Sequence, residues 1–177
     1  LYMTERTGGT TSLLRLADGS GTPARVSLPI EGTVSLYRGY QNMDGAVLSV
    51  ESWATPAEWM RIETNGSSVR QLSLNGPAAA DKSTLISART EAKSKDGTLV
   101  PVSLVYGSAA LRDGELDGSA PLLLEAYGGF ATSTDPSFNP ALKVWVDLGG
   151  VYAYAHARGG GELGDAWHRA AMREKKQ

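Results

Sequence analysis

The sequence predicts a chain in two parts, an antiparallel β meander followed by an α/β unit built on parallel strands. Three observations carry this prediction. Up to about residue 75, short apolar runs are separated by Gly8-Gly9, Asp44-Gly45 and Asn65-Gly66, dipeptides that supply the positive φ angles of tight hairpin turns. Further on, residues 120–126 and 151–157 are near-continuous apolar runs, the pattern of parallel strands covered on both faces. A helical stretch lies between them, so strand, helix and strand follow in the order of a crossover unit.

Taken in order, the runs at 1–6 and 12–16 flank Gly8-Gly9 as a hairpin, Asp18-Gly19-Ser20-Gly21 closes the second strand, and 24–28 makes a third. Strands at 34–40, 46–53, 58–63 and 68–74 follow, divided by Asp44-Gly45, Thr55-Pro56 and Asn65-Gly66. The stretch from Asn75 to Asp81 holds turn formers and small residues without periodicity, and it marks the boundary between the two parts. Beyond it, 85–93 and 99–106 flank Lys95-Asp96-Gly97 as a further hairpin, and 107–120 is a polar, exposed loop. The run 120–126 is expected to be a buried strand. Asp135-Pro136 has the helix-opening signature of an N-cap with proline at the first helical position. That helix should run to about Leu148 and stop at Gly149-Gly150. The next buried strand is 151–157, and Asp165 is expected to cap a helix still running at Gln177.

Composition narrows the classes of function. A hydrophobic share of 41% and a charged share of 20% are those of an ordinary soluble globular protein. A formal net charge of -2 leaves no basic footprint, which argues against nucleic acid as a partner. Without cysteine, disulfides and thiolate metal sites are excluded. No apolar run approaches bilayer length, which argues against a membrane partner. The compartment is left as cytoplasm or periplasm, the first favoured. Asn65-Gly66-Ser67 fits a glycosylation sequon, and a turn between two strands explains it equally well.

At the ends of the two apolar strands stand Tyr127-Gly128-Gly129-Phe130 and Arg158-Gly159-Gly160-Gly161-Glu162, the second followed by Trp167-His168. Open α/β sheets place their chemistry at this edge. The two motifs, in this order, resemble the prolyl oligopeptidase family of serine peptidases. The resemblance spans most of the chain, with its specific motifs in residues 120–177. It implies the N-terminal part of an α/β-hydrolase domain, with Tyr-Gly-Gly-Phe after the third strand, preceded by the end of a β-propeller. On that reading 1–80 holds the last strands of the propeller, 34–74 being one complete blade of roughly 40 residues. Residues 81–177 are then the first part of the peptidase domain.

The resemblance also assigns roles. The Tyr127 hydroxyl donates to the oxyanion that develops on the scissile carbonyl, and Gly128 and Gly129 let the loop fold tightly under the substrate. Phe130 lines the pocket for the substrate proline ring, a flat apolar group that an aromatic wall suits. Arg158, Gly159, Gly160, Gly161 and Glu162 form a structural loop, with Arg158 and Glu162 paired or bonded to neighbouring backbone. The implied activity is hydrolysis of short proline-containing peptides after proline, with no cofactor and no metal. Oligopeptidase B and the dipeptidyl peptidases share the architecture, and Tyr127 followed by Gly-Gly-Phe points to the prolyl branch. Read from the residues alone, Tyr127 is a tyrosine at a strand end that anchors the loop by its hydroxyl, and Phe130 a core phenylalanine after a turn.

The nucleophile does not follow. In α/β-hydrolases the triad comes in the order Ser, Asp or Glu, His, with the serine on a Gly-x-Ser-x-Gly elbow, and no serine here has glycine on both sides at that spacing. His156 and His168 are the only histidines. His156 alternates within an apolar strand as a core residue, and His168 sits beside Trp167 with no metal partner at ligand spacing. The chain is therefore expected to be a piece of a peptidase that ends before its nucleophile, inactive on its own, and an opening on Leu1 fits the same expectation. Two other readings are a dinucleotide-binding domain using Gly159-x-Gly161-x-x-Gly164 and a non-catalytic β-rich interaction module.

Overall fold

The computed structural model describes residues 1–37, 45–63, 68–74 and 85–175. Asp44, the Asn65-Gly66-Ser67 sequon and the expected boundary from Asn75 to Asp81 lie outside the described residues. The chain forms two compact units, one of residues 1–82 with 135–138, the other of 83–134 with 139–177.

In the first unit, β1 (Tyr2–Thr7), β2 (Thr10–Arg15) and β3 (Ala24–Val26) form an antiparallel sheet in that order. Thr7 pairs with Thr10 across a two-residue turn in which Gly8 and Gly9 have φ of 59° and 77°. Two positive φ values give the turn whose twist matches that of the strands it joins. A second antiparallel meander runs through β4 (Thr33–Tyr37), β5 (Ala46–Glu51), β6 (Glu58–Ile62) and β7 (Val69–Gln71). Leu48 and Val50 on β5 and Met60 and Ile62 on β6 alternate onto one face and, with Leu13 and Val34, make this unit's core.

Asp135–Phe138 belongs to this unit and is not helical, contrary to expectation. Its groups bond elsewhere: Thr33 Oγ1 donates to Pro136 O at 2.6 Å, Phe138 N–H to Glu51 Oε2 at 3.3 Å, and Arg6 pairs with Asp135 at 2.7 Å. The helix starts four residues later on a second copy of the same signal. Asn139 is the N-cap, its side chain accepting from Ala141 N–H at 2.9 Å, and Pro140 takes the first helical position.

The second unit is a mixed sheet with order β10-β11-β9-β8. β8 (Ile86–Lys93) and β9 (Leu99–Tyr106) are an antiparallel hairpin, and β11 (Val151–Ala155) lies antiparallel to β9. β10 (Leu122–Ala126) is parallel to β11, with Leu122 opposite Val151 and Ala126 opposite Ala155. Helix α1 (Pro140–Asp147) makes the crossover between them, burying Leu142 and Val146 one turn apart, and the Trp145 indole N–H donates to Val151 O at 3.0 Å.

β11 is the buried strand the sequence predicts, with Val151 to Tyr154 all inside. β10 is not: as the outer strand it leaves Leu122, Leu123 and Leu124 58%, 48% and 61% exposed. At the chain's end, α2 (Asp165–Arg169) is only five residues, Gly164 rather than Asp165 holds its N-cap position, and a 3₁₀ turn at Arg173–Lys175 follows. The expected long terminal helix is therefore absent among the described residues.

Candidate active site

Parallel pairing of β10 with β11 brings Tyr127 and Arg158, the first residues of the two glycine motifs, to the same edge of the sheet. The loops they open then pack backbone to backbone. Gly128 has φ 58° and Gly159 φ 99°, and a Cβ on Gly159 would stand 2.3 Å from Gly128 O. Only glycine permits both the conformation and the approach. On Gly160 and Gly161 a Cβ would meet Glu162 Oε2 and Ala131 O at 2.1 and 2.3 Å. The loop is thus filled by the chain's own backbone where a nucleotide-binding loop would keep room for a pyrophosphate, which weighs against the dinucleotide reading.

Tyr127 is 54% exposed. With Gly128 and Arg158 it lines a cleft of about 870 Å³ bounded by Asp96, Val100 and Ala171. Phe130 is 88% exposed and is not among the residues lining that cleft. Phe130 and its neighbour Ala131 both have left-handed backbones, φ 55° and 54°, a conformation that costs a non-glycine residue of the order of 1–3 kcal/mol.

What holds this loop is a set of hydrogen bonds from the opposite strand and loop. The Tyr154 hydroxyl takes a backbone hydrogen bond from Tyr127 and lies 2.6 Å from Thr134 Oγ1, so one phenol ties both ends of the 127–134 loop. Burial holds the Tyr154 hydroxyl above the usual tyrosine range, so it stays protonated. Thr134 N–H donates to Glu162 Oε1 at 3.1 Å, and Gly161 N–H to Thr132 O at 3.2 Å. Glu162 is 3% exposed, and its Oε1 stands 3.6 Å from Nδ1 of the fully buried His156, whose Nε2 is 2.9 Å from Ser103 Oγ. Ser103, His156 and Glu162 are the residue types of an acyl-transfer constellation. They are sealed in the core, so they hold the loop rather than attack a substrate.

Arg158 and Glu162 are not partners. Arg158 reaches the side chains of Asp96 in the β8–β9 turn and Thr98, which neither arrangement expected of this loop includes, while Glu162 accepts from the Thr134 backbone N–H. The bond from Thr98 N–H, followed by that from Arg158, lowers the exposed Asp96 carboxyl from 3.8 to about 2. His156 is the core histidine expected. His168, which the sequence leaves without a role, sits with Nδ1 3.0 Å from Ala131 N, and Ser103 and Tyr154 were equally without a signal. Their roles arise from tertiary pairing of strands whose local sequence says only that they are strands.

A model described as the prolyl oligopeptidase family matches residues 136–177. An uncharacterized peptidase of Sinorhizobium fredii is 35% identical over 160 residues, 90% of this chain and 21% of the relative. The chain belongs to the prolyl oligopeptidase family. A dipeptidyl aminopeptidase BI of Pseudoxanthomonas mexicana is 40% identical over 121 residues, 68% of this chain and 16% of the relative. A structure from work on two prolyl endopeptidases superposes on 99% of this chain and 27% of its own, with TM-score 0.73 and 32% identity. The chain spans about a fifth of the length of the curated relatives it matches.

Proposed function

We propose that this chain supplies the oxyanion side of the active site in a serine peptidase that hydrolyses short peptides after proline. Residues 81–177 are on this reading the first part of an α/β-hydrolase domain, and residues 1–80 the end of a β-propeller that precedes it. The strand order β8-β9-β11-β10 with its crossover helix supports the first assignment, and the four-stranded meander β4 to β7 the second. The observation that carries the proposal is the seating of the Tyr127 loop on the Arg158 loop at the sheet's C-terminal edge, where a half-exposed phenol faces an open cleft.

Acyl transfer needs donors aimed at the charge that develops on the scissile carbonyl. Tyr127 provides one from a backbone fixed by Tyr154. No Gly-x-Ser-x-Gly stands in the sequence, so the nucleophile and the second donor come from residues other than these. Phe130, presented on a strained turn, forms one wall for the residue at the cleavage position.

Steady-state kinetics on the intact enzyme test both assignments. Tyr127→Phe keeps the ring and removes the donor, and should lower the acylation rate ~10²–10³-fold with KM nearly unchanged. Phe130→Ala should instead raise KM for substrates with proline at the cleavage position, because it removes contact area from ground and transition states alike. A Tyr127→Phe enzyme with the wild-type acylation rate would make Tyr127 a loop anchor and end the oxyanion assignment.

A further inference from the structure

The left-handed turn at Phe130 and Ala131 needs something to hold it, since side chains at both positions disfavour that backbone. Three atoms meet directly behind it. Ala131 N is 3.1 Å from Gly159 O and 3.0 Å from His168 Nδ1, and His168 Nδ1 is 2.8 Å from Gly159 O. The Ala131 N–H is directed at both Gly159 O and His168 Nδ1, so the short contact between Nδ1 and Gly159 O is what weighs between the two tautomers. With the imidazole proton on Nε2, the Nδ1 lone pair would face the Gly159 carbonyl oxygen at 2.8 Å with nothing between them, a repulsion that one shared Ala131 N–H cannot relieve. With the proton on Nδ1, Gly159 O accepts from both Ala131 N–H and Nδ1–H, one for each of its lone pairs.

The neighbouring contacts keep the imidazole in place. Gly159 N–H donates to Trp167 O at 3.0 Å, so Trp167-His168 grips Gly159 by both its N–H and its carbonyl. The Trp167 indole N–H donates to His156 O at 3.2 Å, which ties this pair to the end of β11.

We propose that His168 is a positioning residue of the active site, which donates from Nδ1 to Gly159 O and thereby fixes the Phe130–Ala131 turn that presents Phe130 to the substrate. The proposal rests on the reading of 127–130 as the substrate-facing loop, and it deepens that reading by naming what sets the shape of its far end. It also explains the spacing of Trp167-His168 from Gly159, which the dinucleotide and interaction-module readings leave without a reason.

Two measurements test it. The first needs no activity. In the intact protein labelled with ¹⁵N in histidine, the two-bond ¹H–¹⁵N pattern assigned to His168 by its loss in His168→Asn should be that of the Nδ1–H tautomer, the minor one for free histidine in water. An Nε2–H pattern overturns the proposal whatever the kinetics show. The second is a KM-against-kcat split. His168→Phe should raise KM for proline substrates by about tenfold, the size of one lost hydrogen bond, with kcat changed far less. His168→Asn, whose amide N–H can reach the same carbonyl, should recover most of that loss. Equal damage by Asn and Phe, or a fall in kcat alone, overturns the positioning role. A Tyr127→Phe enzyme of wild-type rate would defeat the oxyanion assignment while leaving the His168 tautomer to stand, so the two failures are distinguishable.

Discussion

At the scale of single residues, the site is a case of polar groups spent on backbone. Glu162, His156 and Tyr154 are buried groups whose partners include main-chain N–H groups, the hydroxyls of Ser103 and Thr134, and one another. Burying such groups is costly unless each is hydrogen-bonded, and here the bonds fix loop shape. Tyr154→Phe removes the hydroxyl shared by Thr134 and the Tyr127 backbone. It should cost about 1–3 kcal/mol of stability, measured by denaturant unfolding, and should also lower the acylation rate by loosening Tyr127. A variant as stable and as active as the parent would show that the phenol pins nothing. Asp96 is the surface counterpart. Its carboxyl is held at about 2, below the ordinary 3.8, by Thr98 N–H first and Arg158 second. The sign follows from the folded form having the lower value: the stabilisation is fully present above the unfolded value of 3.8 and is lost as pH falls through about 2. A carbon-detected titration of Asp96 should find a midpoint near 2, and one near 3.8 would mean that neither the Thr98 N–H bond nor the Arg158 contact is formed in solution.

At the scale of elements, the Gly8-Gly9 turn and the central strand were legible. Gly8-Gly9 closes its hairpin because two positive φ values in a two-residue loop have one good solution. Val151 to Tyr154 is buried because the run is apolar on both faces and the sheet places it centrally. The start of α1 was not legible, because Asp135-Pro136 and Asn139-Pro140 carry the same signature four residues apart. What decides between them is long-range: Thr33 and Glu51 hold residues 135–138 extended. The burial of β10 was misread for a related reason, since an apolar run states what a strand would bury and not where in a sheet it lies. For the site, Tyr127, Gly128 and the glycines after Arg158 were readable as motifs at strand ends. Ser103, Tyr154 and His168 were not, because their partners are set by tertiary pairing: His156 lies 53 residues from Ser103, Thr134 lies 20 from Tyr154, and His168 meets both Gly159, 9 residues away, and Ala131, 37 away.

At the scale of the whole molecule, the chain combines the packed Tyr127 and Arg158 loops with a sequence that has no serine elbow. The 177-residue chain should therefore show no serine-directed turnover, since removing triad members leaves at most a residual ~10³–10⁴-fold effect over water even where the oxyanion site survives. Hydrolysis of a chromogenic proline peptide that a serine-directed phosphonate blocks would contradict this. The sheet of the second unit poses a separate physical problem. It ends on β10, whose outer backbone groups have no strand beside them among the described residues and whose Leu122, Leu123 and Leu124 stand exposed. An apolar open edge pairs readily with another copy, and natural sheets guard such edges with charge, most often lysine. Here β10 carries a single charge, Glu125, and no lysine. The 177-residue chain should therefore self-associate as its concentration rises, and Leu124→Lys, at the most exposed of the three positions, should shift it toward monomer. Because that side chain is already 61% exposed, the substitution gives up little burial, and circular dichroism should be unchanged. Light scattering across a dilution series separates the outcomes: a parent chain that stays monomeric throughout, or a Leu124→Lys chain that associates as strongly as its parent, would show that the β10 edge is not the site of association.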